Sequence, residues 1–122
     1  MPITTEFNGE FITAKMSGVI TVPDLLALAD KVAEFEAQLP VTPHRIADLS
    51  EGTVNDYNCV ELNAFAAKRR TARLKNQVKS AIVAGDAVQY GFARMYQTLN
   101  DHPDIRIEVF QSEAPALAWL RE

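Results

Sequence analysis

The stretch that decides the fold is His44–Asn58, HRIADLSEGTVNDYN. Its first part, Arg45–Leu49, is a short and mostly apolar run that predicts a buried strand. The remainder, Ser50–Asn58, is polar and predicts a loop that ends where a helix begins. In an open α/β sheet, ligands and partners bind where the carboxyl end of a strand passes into the next helix. We therefore expect the functional region of this chain at the carboxyl end of this strand.

The chain before this stretch predicts a hairpin and one helix. Residues 3–8 and 10–16 alternate apolar with polar side chains, and Asn8-Gly9 between them favours a tight turn. Thr21 is placed to cap a helix whose apolar residues recur every three or four positions as far as Leu39. Its charged residues, Glu36 among them, fall mostly on the opposite face. Two prolines then end the helix.

The chain after the stretch begins with a second helix, capped by Asn55 or Asp56 and running to about Leu74. One stripe of this helix consists of Tyr57, Val60, Ala64, Ala67 and Leu74. Leu62 and Phe65 project elsewhere, so the first half of the helix is apolar nearly all round. Such a helix is usually covered on more than one side. Either a neighbouring helix or a second subunit could cover it.

Three further elements alternate towards the end of the chain. Val78–Ala84 predicts a strand, and residues 86–100 predict a helix. Ile105–Phe110 predicts the last strand, and Ala114–Leu120, capped by Ser112, a short final helix. In the helix of residues 86–100, the inner face would consist of Val88, Phe92, Met95 and Leu99, with Tyr90 and Tyr96 partly outward. Gly91 in this helix suggests either close packing or the approach of a ligand.

The resulting order is β-β-α-β-α-β-α-β-α. A hairpin followed by alternating strands and helices predicts an α/β fold with a mixed, mainly parallel sheet of about five strands and right-handed crossovers. The 122 residues correspond to one domain by length, with no visible linker or repeat.

Composition favours an ordinary globular protein of the cytoplasm. The lone cysteine cannot form an internal disulfide, which fits a reducing compartment. Neither a signal peptide nor an apolar stretch of roughly 20 residues is visible, so we expect no membrane span.

Basic residues concentrate in one part of a chain whose net charge is −4. The segment from Leu62 to Gly85 contains no acidic residue and six basic ones: Lys68, Arg69, Arg70, Arg73, Lys75 and Lys79. This segment could form a surface for an anion or an acidic partner. Alternatively, the cations interact favourably with the dipole at a helix C-terminus. No aromatic residues interleave with them as in single-strand binders, so we predict no nucleic-acid partner.

Catalytic and metal-binding patterns are weak. His44 and His102 are far apart and Cys59 is isolated, so we predict neither a metal site nor a cofactor. No glycine-rich phosphate loop exists. Asp48 and Asp56 could form an acid–base pair, although a turn and a helix cap explain them more simply. We predict that the protein is not an enzyme; the alternative is a small enzyme that uses Cys59 or the aspartate pair.

Several short motifs resemble one family. Arg45–Ser50, followed by Asn55–Asn58 at a helix start, resembles the strand–loop–helix of STAS domains, which occur in sulfate transporters and anti-sigma-factor antagonists. The end of the chain, Val109–Ser112 with Ala116–Leu120, resembles SpoIIAA-like bacterial proteins grouped as STAS/SEC14-like. Ser80–Ala84 and Tyr90–Ala93 also suit that group. The resemblance covers nearly the whole chain and implies a single SpoIIAA-like domain.

In the antagonists of this family, an Asp-Ser pair opens the second helix, and phosphorylation of that serine releases a partner. This chain has Asp56-Tyr57-Asn58 at the matching place, so the serine is absent. Ser50, Thr53 and Tyr57 are candidate substitutes, because a phosphate there would add about two negative charges beside a partner.

Two functions follow. The first, implied by the resemblance, is a regulatory domain that binds a protein partner or itself through Ser50–Asn58 and the second helix, with Leu62 and Phe65 in a homodimer contact. The second is a binding protein for a small apolar or anionic, lipid-like ligand. Its site would lie at the carboxyl ends of the strands near Tyr57, Phe92 and Tyr96, with Arg69 or Arg73 for the anionic group. The residues predicted to bind a partner or ligand are Asp48, Ser50, Thr53, Asp56, Tyr57, Asn58, Leu62, Phe65, Arg69 and Arg73.

Overall fold

A five-stranded sheet forms the centre of the computed structural model, which describes residues 2–54, 59–70 and 73–122. The strands are β1 (Ile3–Phe7), β2 (Ile12–Val19), β3 (Arg45–Thr53), β4 (Val78–Val83) and β5 (Ile105–Phe110). The helices are α1 (Val22–Gln38), α2 (Cys59–Arg70), α3 (Ala87–Leu99) and α4 (Glu113–Leu120). This order confirms the predicted β-β-α-β-α-β-α-β-α sequence of elements.

Each strand of the sheet lies beside the strand that precedes it in sequence, in the order β1-β2-β3-β4-β5. β1 is antiparallel to β2, and the other pairs are parallel. The predicted α/β fold with a mainly parallel sheet is therefore confirmed. The hairpin turn is shifted by one residue from the prediction: Asn8 pairs with Phe11, and Gly9, with φ of 92°, lies inside the turn.

Helices cover both faces of the sheet. α1, α2 and α3 pack on one face, where their apolar side chains form the larger core with residues of β2, β3, β4 and β5. α4 packs on the other face through Ala116 and Leu120, which contact Phe11, Ile46 and Ala81. Among the described residues, no helix is long and apolar enough to cross a membrane.

Two helices begin with reciprocal side-chain caps. Thr21 accepts from the backbone N–H of Asp24, whose carboxylate accepts from the backbone N–H of Thr21, so the predicted cap is confirmed. Asp86 and Gln89 form the same arrangement at the start of α3. Ser112 occupies the N-cap position of α4, but its side chain makes no capping hydrogen bond.

β3 is longer than the predicted strand. It continues beyond Leu49 to Thr53 and pairs there with the end of β2. β4, by contrast, ends opposite Asp48. The first four residues of the predicted polar loop therefore belong to the sheet, because β2 provides a partner for them.

The buried face of α2 differs from the predicted stripe. Leu62, Phe65, Ala66 and Arg69 are buried, whereas Ala64 is exposed. The larger side chains occupy the core because they remove more apolar area from water than alanine does. The placement of Leu62 and Phe65 in a homodimer contact is therefore wrong: they are 0% and 7% exposed in the isolated chain. The predicted caps at positions 55 and 56 lie outside the described residues.

The inner face of α3 also differs from the prediction. Val88 is 60% exposed, while Tyr96, predicted to point partly outward, is buried. Gln89 and Ala93 share the buried face with Tyr96. A Cβ built on Gly91 would have no atom within 4 Å, so the predicted close packing there is wrong.

Candidate functional site

Three charged side chains meet inside the molecule, between the sheet and the helices. Arg69 Nη2 donates to both carboxylate oxygens of Glu36, at 3.0 and 2.8 Å. Arg45 Nη1 donates to Glu36 Oε2 at 3.2 Å. The three side chains are only 4 to 11% exposed. We call Arg45, Glu36 and Arg69 the buried ion cluster.

The local sequence explains why these residues meet. Glu36 lies one helical turn beyond Val32, on the buried face of α1, and Arg69 lies one turn beyond Phe65 on α2. Arg45 is the first residue of β3, with Ala47 and Leu49 following on the same face of the strand. The prediction that Glu36 lies on the polar face is wrong, because two cations compensate its burial.

The buried ion cluster carries an excess positive charge. Burial, and next the nearby Arg69, lower the pKa of Arg45 to about 10, although Glu36 opposes this shift. Arg45 therefore remains protonated at neutral pH. Two guanidinium groups then share one carboxylate, which leaves one positive charge uncompensated within the cluster.

A polar side chain and an aromatic pair adjoin the cluster. Ser80 Oγ accepts from Arg45 Nε at 3.2 Å. The ring of Tyr96 stacks on Phe65 with centroids 5.0 Å apart. The Tyr96 hydroxyl accepts from Asn100 Nδ2 at 2.9 Å, and burial raises the pKa of this hydroxyl. The charged cluster is thus bordered by groups that can themselves form hydrogen bonds.

A cavity of about 60 Å³ lies beside the buried ion cluster. Its polar lining consists of Arg45, Arg69, Ser80 and Tyr96. The remaining lining is apolar and comes from Ile12, Ala14, Met16, Leu25, Leu28, Ala29, Val32, Ile46, Ala47, Leu49, Phe65, Ile82 and Phe92. The cavity therefore has a cationic end and a mostly aliphatic interior. This lining is complementary to a small amphipathic anion.

This cavity brings together several residues of the predicted ligand site. Arg69, Phe92, Tyr96 and Phe65 all line it. Its cationic end, however, includes Arg45, which begins β3. The site thus reaches the amino end of this strand, whereas the prediction placed it at the carboxyl ends.

The other predicted residues lie apart from the cavity lining. Asp48 Oδ1 accepts from the backbone N–H of Ser50 at 2.9 Å, as expected for a turn-like local contact. Ser50 and Thr53 are exposed on β3, and Arg73 is exposed after α2. Leu62 is in the core but does not line the cavity. Three predicted residues, Asp56, Tyr57 and Asn58, lie outside the described part of the chain.

Arg45, Glu36 and Ser80 were not predicted as site residues. One available signal was the spacing: Glu36 follows Leu28 and Val32 at intervals of four, and Arg69 lies four positions after Phe65 and seven after Leu62. A charged residue in such a row marks either the end of the buried face or a buried ion pair. Sequence spacing alone does not separate these two cases.

The predicted basic segment does not form one surface. Lys68 contacts Asp30 at 2.9 Å, and Arg69 points into the buried ion cluster. Arg70 donates to the backbone oxygen of Leu99, and Lys79 to that of Trp119. Lys68, Arg69 and Arg70 form the last turn of α2, where cations are favoured by the helix dipole. Within the described ranges, no three His, Cys, Asp or Glu side chains form a potential metal site.

Comparison with known proteins supports the fold. No family model matches the chain, and no curated protein matches it. Among solved structures, it is similar to an uncharacterized protein of the DUF3478 family with a SpoIIAA-like fold from Shewanella loihica PV-4. The TM-score is 0.60 at 17% identity, and the match covers 97% of this chain and 91% of the other. The chain therefore has a SpoIIAA-like fold, as the sequence resemblance implied.

Proposed function

We propose that this protein binds a small amphipathic anion in the cavity between the sheet and the helices α1, α2 and α3. One observation carries the proposal: two buried guanidinium groups share a single carboxylate beside a mostly apolar cavity. The anionic group would lie against Arg45 and Arg69, and the apolar part would extend among the aliphatic side chains.

The energetic argument concerns the uncompensated charge. Removing an ion from water costs several kcal/mol unless a partner of opposite charge and hydrogen bonds offset that cost. The single negative charge of Glu36 compensates the positive charge of only one of the two arginines. A bound anion would supply the second negative charge, and its apolar tail would gain from leaving water. Binding therefore needs no covalent step, in keeping with a non-enzymatic role.

The regulatory role implied by the resemblance remains a second prediction. Leu62 and Phe65 are in the core, so a partner would instead contact exposed residues such as Ser50 and Thr53. No described contact distinguishes these exposed residues from the rest of the surface. The buried ion cluster is a more specific feature, and we therefore favour ligand binding.

The test is a titration with butyrate, monitored by the thermal midpoint and by NMR shifts of backbone amides. We expect a saturable rise in Tm for the wild type, with shift changes concentrated around Arg45 and Phe65. Arg69→Met keeps a long apolar side chain but removes the charge, and it should lose most of the response.

Lys68→Met is the matched control, because Lys68 is exposed on the neighbouring position of α2. This variant should respond as the wild type does. The proposal is wrong if butyrate and its shorter and longer homologues leave both the wild-type midpoint and the amide shifts unchanged.

A further inference from the structure

We infer that the ligand is a monocarboxylate with a short aliphatic tail. Its carboxylate would add a second negative charge to the buried ion cluster, so that the two cations, Arg45 and Arg69, face two anions, Glu36 and the ligand. This inference rests on the proposed function and specifies its ligand by charge, head group and length.

The charge of the ligand follows from the balance of the buried ion cluster. The two arginines and Glu36 together carry one excess positive charge, and no other charged side chain lines the cavity within the described part of the chain. A monoanion neutralises this excess. A dianion would reverse its sign and leave a negative charge in the interior, which carries its own desolvation cost.

The carboxylate head group follows from the geometry of the arginines. Glu36 already shows that the cluster accepts a carboxylate: Arg69 Nη2 contacts both of its oxygens, and Arg45 Nη1 contacts one of them. A planar guanidinium carries five N–H donors and matches the two oxygens of a carboxylate. A second carboxylate would therefore meet donors of the same kind.

The length of the tail follows from the size of the cavity. A cavity of about 150 Å³ in another protein accepts benzene, so 60 Å³ has space for fewer carbon atoms. By proportion with the six carbons of benzene we expect a tail of about two to three carbons beyond the carboxylate. Ala14, Ala29 and Ala47 contribute to the space, because their small side chains leave part of the lining unfilled.

The experiment titrates the wild type with a homologous series from acetate to octanoate, using calorimetry and amide shifts. Affinity should rise roughly fourfold for each added methylene as far as propionate or butyrate, because each buried methylene adds a constant increment. It should then fall for hexanoate and octanoate. Butyramide, which matches butyrate in shape without its charge, should bind at least tenfold more weakly. Succinate and phosphate should give no saturable response at the cavity.

A pair of variants tests the location. Ala29→Leu fills the cavity without changing the buried ion cluster and should abolish butyrate binding, whereas Ala33→Leu, on the exposed side of α1, should preserve it. If Ala29→Leu does not fold, Ala47→Val fills the same cavity from β3 and should have the same effect.

The possible failures are distinguishable. Tight binding of octanoate but not butyrate overturns the inference about length and leaves the proposed function standing. Preferential binding of succinate overturns the inference about charge, and preferential binding of phosphate overturns the inference about the head group. Equal binding of butyramide and butyrate would show that the ligand need not be an anion, which overturns that part of both proposals. Butyrate binding retained in Ala29→Leu and in Ala47→Val would show that the ligand does not occupy this cavity.

Discussion

At the scale of single residues, the carboxylate of Glu36 is the shared negative partner of both buried arginines, Arg45 and Arg69. The neighbouring Glu34, on the same helix, is 62% exposed and forms an ion pair with Lys31. The two glutamates are two positions apart, yet Glu36 is buried against two arginines and Glu34 is exposed to solvent.

Glu36→Gln should lower the free energy of unfolding by about 3–5 kcal/mol, since it leaves two buried cations without a negative partner. Glu34→Gln is the matched control and should change it by less than about 1 kcal/mol. Urea unfolding of both variants gives the comparison. A similar small loss in both would mean that Glu36 does not compensate the buried charge.

His44 provides a prediction of pH dependence. Its Nδ1 accepts from the backbone N–H of Lys79 at 2.9 Å, which requires the neutral ring. Burial, and then the charge of Lys79, lower the pKa of His44 below its ordinary value of 6.5. The unfolded chain then binds a proton more readily than the folded one, so stability is complete above pH 6.5 and falls as the pH drops below it.

The variant His44→Asn retains an acceptor oxygen near the Lys79 amide but does not titrate. Its free energy of unfolding should fall less between pH 7 and pH 5.5 than that of the wild type, measured by urea unfolding at about four pH values across this range. Identical pH slopes in the two proteins would contradict the prediction.

The sequence predicted some roles of single residues and not others. Thr21 was predicted as a helix cap from its residue type and position, because capping depends on local chemistry. The burial of Arg45, Glu36 and Arg69 could not be predicted in the same way. Each is stabilised by a residue distant in sequence, and a pattern within one segment contains no information about that partner.

At the scale of elements, the end of β3 depends on one side chain of α3. Gln89 Nε2 lies within 2.8 to 3.3 Å of the backbone oxygens of Leu49, Ser50 and Gly52. Its Oε1 accepts from the backbone N–H of Gly85 and Asp86. Since β4 ends before this part of β3, Gln89 supplies donors that a longer β4 would have provided.

Gln89→Ala should therefore lower the free energy of unfolding by about 2–3 kcal/mol, because buried acceptors lose their donor. Gln38→Ala, an exposed glutamine in the last turn of α1, should change it by less than about 0.5 kcal/mol. Hydrogen exchange gives a second measurement: the amides of Gly52 and Thr53 should exchange faster in Gln89→Ala only. Unchanged exchange there would show that Gln89 does not hold this end of the strand.

The type and order of the elements were predictable because strong periodic patterns extend over whole segments. The end of β3 was not, since Ser50–Thr53 reads as a polar loop and becomes strand only beside β2. The inner faces of α2 and α3 were misassigned for a related reason. Small and large apolar residues both fit a stripe, and only the neighbouring elements decide which of them is buried.

At the scale of the whole molecule, Leu62 shows that α2 completes the core of the isolated chain. Leu62→Ala should lower the free energy of unfolding by about 2–5 kcal/mol, through lost burial and the cavity left behind. This loss should be the same at all protein concentrations, because the side chain is buried within one chain.

Ala64→Ser, on the exposed side of the same helix, is the control for helix propensity and should cost less than about 1 kcal/mol. Urea unfolding at two concentrations differing about hundredfold tests both variants. A loss for Leu62→Ala that appears only at high concentration would instead place this residue at an interface between copies.

The order of the strands also has a consequence for biosynthesis. Because β2, β3, β4 and β5 each join a neighbour that precedes them in the chain, no strand has to be inserted between two that are already paired. As the polypeptide leaves the ribosome, every new strand meets an edge that has already been translated. The sheet can thus grow in one direction during translation, and β5 is the last of the five described strands to join it.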